Sequence, residues 1–222
     1  MTHTPHDRRM RIFQNAGLYL VTAGELSCER TTTTIVTAAL KGGCRLIQLR
    51  EKNLPLKKLI RLGHDIRQLT RDQNALLIVN DRLDVALALE ADGVHLGLDD
   101  FPVAEARRLA PDMIIGASSH SEAEAIEAQR QGASYVNIGP IFPTQTKNWS
   151  GEFLGLTGLR RIAPTVSIPF TVMGGIKQEH IPDLVKAGAQ TLAVVTAITT
   201  APDPEKAIRA FLSILSENRS VR

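Results

Sequence analysis

The 222-residue chain is predicted to fold as an α/β protein, a single-domain (β/α)8 TIM barrel. Three observations carry that expectation. Eight short apolar runs rich in branched residues occur in order, at 18–22, 44–49, 75–79, 93–96, 113–117, 135–138, 170–172 and 192–195. Segments of helical period separate them, which is the signature of successive βα units on a parallel sheet. Glycines recur at one kind of corner, in KGGCRL, RQGASY and KAGAQT, where a helix must end and a strand begin. Alternation alone would also suit an open doubly wound sheet, and the count of eight strands selects the barrel.

Each outer helix is predicted from its own spacing. Residues 56–73 put Leu59, Ile60, Gly63, Ile66 and Leu69 on one face, and 122–131 turn Ala125, Ile126 and Ala128 inward. The short link 81–92 keeps a helical period through Val85, Ala86 and Leu89. The polar stretch MTHTPHDRRMRIFQNA reads as a flexible N-terminal leader over 1–16, the barrel spans 17–217, and 218–222 form a C-terminal tail.

Composition narrows the function. With 43% hydrophobic and 22% charged residues the chain belongs with packed globular proteins rather than disordered ones. The net charge of +3 is spread along the sequence without a basic stripe, and aromatics at 4% provide few stacking platforms, so no nucleic-acid partner is expected. Cys28 and Cys44 are too few for a disulfide framework or a tetrahedral zinc site, which fits a reducing, cytoplasmic setting. The leader lacks the apolar core of a secretory signal, and no run of about 18 apolar residues predicts a membrane span.

Barrel enzymes build their sites where the strands end. After the second predicted strand, Gln48, Arg50 and Lys52 repeat every two residues and so share a side; they suit a common anionic ligand or, equally, a solvated rim. The third is followed by Asn80 and Asp81, the fourth by His95, Asp99 and Asp100, and the fifth by Ser118, Ser119 and His120. The sixth opens into a loop with Thr144, Thr146, Lys147 and Trp149. The seventh and eighth end at Gly174-Gly175 and at Thr196, where backbone N–H groups and a hydroxyl suit a phosphate above helix N-termini. Cations, hydroxyls and two aspartates at one mouth match a polyphosphate carrying a divalent metal. Asp81 and Asp100 are the expected Mg2+ ligands, although Asp81 also reads as the cap of a helix starting at Arg82. Asp99 is expected to serve as the turn cap. His95 reads either as a substrate-orienting group or as a structural histidine.

Five motifs, QLREK (48–52), NDR (80–82), ADGVHLGLDD (91–100), GPIFPTQTK (139–147) and MGGI (173–176), resemble thiamin phosphate synthase, each after a predicted strand and in the same order. The resemblance runs from Leu18 to about Leu215. It implies coupling of a hydroxymethylpyrimidine diphosphate to a hydroxyethylthiazole phosphate, giving thiamin phosphate and pyrophosphate by a Mg2+-assisted dissociative substitution. By that resemblance Arg50, Lys52, Asn80, Ser118 and Lys147 hold the diphosphate, Asp81 and Asp100 hold Mg2+, and Gln48 meets the pyrimidine. Thr144, Thr146, Gly175, Val195 and Thr196 hold the thiazole phosphate; Arg50, Lys52 and Lys147 act on the leaving group. It also implies small phosphorylated partners and a homodimer. The chain departs from the family at Leu98, where Gln is usual, near Ala23, where an acidic residue is usual, and at Thr196, where Ser is usual. Competing readings are a thiazole tautomerase-like relative and a non-catalytic sensor of thiazole or thiamin phosphate.

Overall fold

The structure, a computed structural model, describes residues 4–144, 146 and 150–219. Among them eight parallel strands pair in sequence order and close, the last against the first. They are β1 Leu18–Val21, β2 Leu46–Leu49, β3 Leu76–Asn80, β4 Gly93–Leu96, β5 Ile114–Ser119, β6 Tyr135–Ile138, β7 Phe170–Met173 and β8 Thr191–Val194. Every predicted run contains its strand to within two residues. The helices outside the barrel are α2 Thr32–Lys41, α3 Leu56–Asp72, α4 Leu83–Ala88, α5 Val103–Leu109, α6 Glu122–Arg130, α7 Gly155–Ile162, α8 Ile181–Lys186, the single turn α9 Thr196–Thr199 and α10 Pro204–Arg219; α1, Pro5–Asn15, precedes β1. No helix among the described residues is long and apolar enough to cross a membrane.

Alternation along each strand divides the core in two, because successive side chains face opposite sides of a sheet. Leu18, Leu20, Ile47, Leu49, Leu77, Val79, Val136 and Ile138 pack outward against the helices. Tyr19, Val21, Leu46, Leu76, Ile78, Ile114, Tyr135 and Ala193 fill the barrel itself. Gly116 makes that inner packing possible: a Cβ there would sit 2.2 Å from Cζ of Tyr135. Gly116→Ala should therefore cost about 2 kcal/mol by overpacking, read as a lower midpoint in urea unfolding; an unchanged midpoint would show that the Tyr135 ring moves freely.

Among its described residues the expected flexible leader is instead a capped helix. Thr4 caps α1, its Oγ1 accepting from Asp7 N (3.1 Å) while Asp7 Oδ2 accepts from Thr4 N (3.0 Å), and Pro5 occupies the first turn. The helix closes the floor of the barrel with Phe13, only 1% exposed, whose ring lies 4.4 Å from that of Tyr135 and 6.5 Å from that of Tyr19. Burying that one side chain is worth about 2–3 kcal/mol, enough to order a polar helix with little else to bury. At the other end α10 runs through Arg219, so the tail expected from 218 begins inside a helix. The predicted inward face of α6 holds for Ala125 and Ala128, whereas Ile126 is 46% exposed.

Candidate active site

The C-terminal ends of the strands enclose a cavity of about 400 Å3. Gln48, Arg50, Lys52, Asn80, Asp81, Asp100, Ser118, Thr144, Thr146, Gly175, Val195 and Thr196 all line it, as do His95 and Leu98. Lys147 and Trp149, on the loop after β6, lie outside the described residues.

The β2 end is held by Glu51. Its Oε1 accepts from the hydroxyls of Thr22 (2.9 Å) and Thr32 (2.8 Å), and its Oε2 from Gly24 N (2.9 Å). Arg50 N in turn donates to Thr22 Oγ1 at 2.9 Å. The loops after β1 and β2 are thereby tied together, with Arg50 and Lys52 left to face the cavity. This role of Glu51 is not visible in the sequence, since its partners come from two other segments.

The two aspartates meet across the ends of β3 and β4. Asp81 has φ 63°, a left-handed conformation rare for a residue with a side chain, and its N–H donates to the carbonyl of His95 at 2.8 Å. The capping alternative for Asp81 fails, because the N-cap of α4 is Arg82 and has no side-chain cap. Asp100, not Asp99, closes the turn: its Oδ2 accepts from Gly97 N at 2.7 Å. The expectation of Asp99 as the cap is corrected here, because spacing cannot separate neighbouring carboxylates.

Burial raises the Asp81 carboxyl to about 6, helped by the hydrogen bond and negative charge of Asp100, while Lys52 and Arg50 pull it down. Lys52 Nζ lies 3.8 Å from Asp81 Oδ2, but the lysine side chain is 48% exposed and its charge is screened, so the carboxylate pair remains short of positive charge. Hard oxygen donors in that condition suit a divalent cation that keeps waters or phosphate oxygens in its shell. Among the described residues there is no cluster of three or more His, Cys, Asp or Glu that would form a closed protein cage.

Across the cavity, Gly175 has φ 60°, and a Cβ there would lie 2.3 Å from the carbonyl of Pro143. Only glycine permits the loop after β6 to come this close. Thr144 and Thr146, linked hydroxyl to hydroxyl at 3.3 Å, consequently face Gly174-Gly175 and Val195-Thr196. The short helix after β8 is one turn, so the phosphate-holding capacity there rests on loop N–H groups and hydroxyls rather than on a helix end.

His95 is 4% exposed, and burial lowers its pKa to about 4 despite the charge of Asp100. Its Nε2 lies 3.0 Å from Ser118 Oγ and its Nδ1 2.9 Å from Tyr135 OH. A Ser–His pair could suggest a nucleophile, but this imidazole is too weakly basic to take the serine proton and has a phenol rather than a carboxylate behind it. Asn137 is a further lining residue that the sequence did not single out; its Oδ1 accepts from Thr171 at 2.7 Å, which turns the amide nitrogen away from β7's hydroxyl.

A parallel barrel whose mouth gathers two cations, a carboxylate pair and opposed hydroxyls defines an enzyme class acting on phosphorylated ligands. The model of the thiamine monophosphate synthase family matches residues 18–198. A thiamine-phosphate synthase of Chloroflexus aurantiacus is 45% identical over 199 residues, covering 90% of this chain and 92% of the relative. One from Pyrococcus furiosus is 41% identical over 94% of this chain and 99% of its own. The solved thiamine phosphate pyrophosphorylase of Pyrococcus furiosus superposes with a TM-score of 0.86 at 40% identity, over 93% and 98% of the two chains. A 3-hexulose-6-phosphate synthase, at 20% identity and a TM-score of 0.63, shares the fold alone. This chain belongs to the thiamine monophosphate synthase family.

Proposed function

We infer that the chain is a transferase that moves a pyrimidinylmethyl group from its diphosphate to the nitrogen of a thiazole phosphate, releasing pyrophosphate. Family membership supports the reaction; the observation that carries the mechanism is a cavity with cations at the ends of β2 and no basic nucleophile–base pair among its described lining. The C–O bond to the diphosphate breaks and its electron pair leaves on oxygen. The resulting pyrimidinylmethyl cation accepts the thiazole nitrogen's lone pair, so no protein atom needs to form a bond.

Arg50 and Lys52, with Lys147 as a proposed third cation, neutralise charge as it gathers on the departing pyrophosphate; Asn80 and Ser118 hold its oxygens. Gln48 faces the pyrimidine. Thr144, Thr146, Gly175, Val195 and Thr196 hold the thiazole phosphate on the opposite wall. Asp81 and Asp100 would hold Mg2+, which would supply Lewis-acid charge to the leaving group. A homodimer in the cytoplasm completes this reading.

Purified protein given both substrates should form thiamin phosphate with Mg2+ and lose that activity in EDTA. Thiazole phosphate binding without product would return the chain to the sensor reading, and metal-independent turnover would remove Mg2+ from the mechanism.

A further inference from the structure

A continuous line of hydrogen bonds crosses the barrel interior beneath the cavity. Gln48 Nε2 lies 2.7 Å from Tyr19 OH, which lies 3.0 Å from Tyr135 OH. Tyr135 OH is 2.9 Å from His95 Nδ1, and His95 Nε2 is 3.0 Å from Ser118 Oγ. Five residues from five strands, β2, β1, β6, β4 and β5, are joined in one file. All but its last member are at least 95% buried, so the hydroxyl and ring hydrogens of Tyr19, Tyr135 and His95 must find partners within the file.

Counting donors fixes its direction. The amide nitrogen of Gln48 can only donate, so the Tyr19 oxygen accepts and its single proton goes to Tyr135. Tyr135 then donates to Nδ1 of His95, whose one proton must sit on Nε2 and point at Ser118. The file leaves unused the Ser118 hydrogen at one end and the second amide hydrogen of Gln48 at the other, and both residues line the cavity. We propose that Tyr19, Tyr135 and His95 are positioning residues, a one-way hydrogen-bond relay that anchors the Gln48 amide nitrogen and makes Ser118 a donor toward the bound substrate.

The polarity matters because the opposite direction would turn serine lone pairs toward an anion. A forward relay presents the Ser118 hydrogen to a phosphate oxygen at one end and fixes the Gln48 carboxamide on Tyr19 at the other. Phe13 of α1, its ring tilted 35° against that of Tyr135 at 4.4 Å, packs beneath the relay, so the floor of the barrel is continuous with the site.

That Ser118 meets the diphosphate rests on the function proposed above, whereas the direction of the relay does not, and two measurements separate them. In 15N-labelled full-length protein, long-range proton–nitrogen correlation, with His95 assigned from His95→Gln, should show the Nε2–H tautomer. Tyr135→Phe should give a mixed His95 tautomer and a kcat lower by about tenfold, the cost of one well-placed hydrogen bond, with the thiazole phosphate KM unchanged. A wild-type His95 protonated on Nδ1, or Tyr135→Phe with wild-type tautomer and kcat, overturns the relay; if Tyr135→Phe fails to fold, the wild-type tautomer alone decides. Separately, Ser118→Ala should weaken binding of inorganic pyrophosphate, and unchanged affinity would remove Ser118 as an anion contact while leaving the tautomer result intact.

Discussion

Asp81→Asn should lower kcat by on the order of 100-fold, the usual cost of losing a group that stabilises transition-state charge, and should raise the melting temperature of the metal-free protein at pH 7.5. Loss of activity with gain of stability stems from the environment of one carboxylate. Asp81 is pressed against Asp100 in a partly buried pocket, and its pKa of about 6 lies above the unfolded value of about 3.9. Between those values the folded chain holds a proton that the unfolded chain has lost. The stability this group contributes is therefore fully present below about pH 3.9 and is lost as pH rises through about 6.

Asparagine is an isosteric mimic of the protonated acid and never acquires the second negative charge. The difference in melting temperature between variant and wild type should thus be positive at pH 7.5 and shrink toward pH 4. Added Mg2+ should stabilise the wild type, because a ligand bound only by the folded state raises its stability, and should do much less for the variant. An Asp81→Asn protein with a wild-type Mg2+ titration, or one less stable at both pH values, would make Asp81 a structural residue of the turn it occupies with φ 63°.

The parts of this molecule legible in its sequence are those whose physics is local. Strands such as Leu46–Leu49 and Tyr135–Ile138 are short apolar runs bounded by turn residues, and parallel strands buried on both faces must read that way. That Arg50, Asn80, Asp81 and Ser118 line the cavity is equally legible, because each stands at or just past a strand end, where the barrel opens in every unit alike. The hidden features depend on closure. Phe13 looks like a lone aromatic in a polar leader until Tyr135, 122 positions on, supplies the surface it covers. Tyr19 and Tyr135 read as core residues, and only the barrel brings their hydroxyls together with His95. Ile126 illustrates the opposite error: it sits beside Ala125 in a helical run, but neighbours on a helix point about 100° apart, and only Ala125 faces the strands.

The second large effect is expected at the barrel floor, on the face opposite the cavity. Asp92→Ala should destabilise the fold by about 3–5 kcal/mol, the range for removing one member of a buried ion pair. Asp92 is 7% exposed and serves three elements at once. Its Oδ2 accepts from Arg67 Nη1 of α3 at 2.6 Å and from Leu77 N of β3 at 2.9 Å; its Oδ1 accepts from Arg9 Nε of α1 at 3.2 Å. Alanine would leave the Arg67 guanidinium, whose Nε already lacks a partner, buried without its counter-charge, and would release α1 from the floor. Asp92→Asn keeps an oxygen for Leu77 but not the charge, so it should lose less. Combining Asp92→Ala with Arg67→Met should recover part of the deficit, because the stranded cation rather than the missing contact dominates the cost. Urea unfolding of the three variants decides this: a single-variant loss below about 1 kcal/mol, or a double variant no better than Asp92→Ala, would show that the carboxylate at the floor is screened by water and that Phe13 and the Arg9–Asp112 carbonyl bond suffice to hold α1.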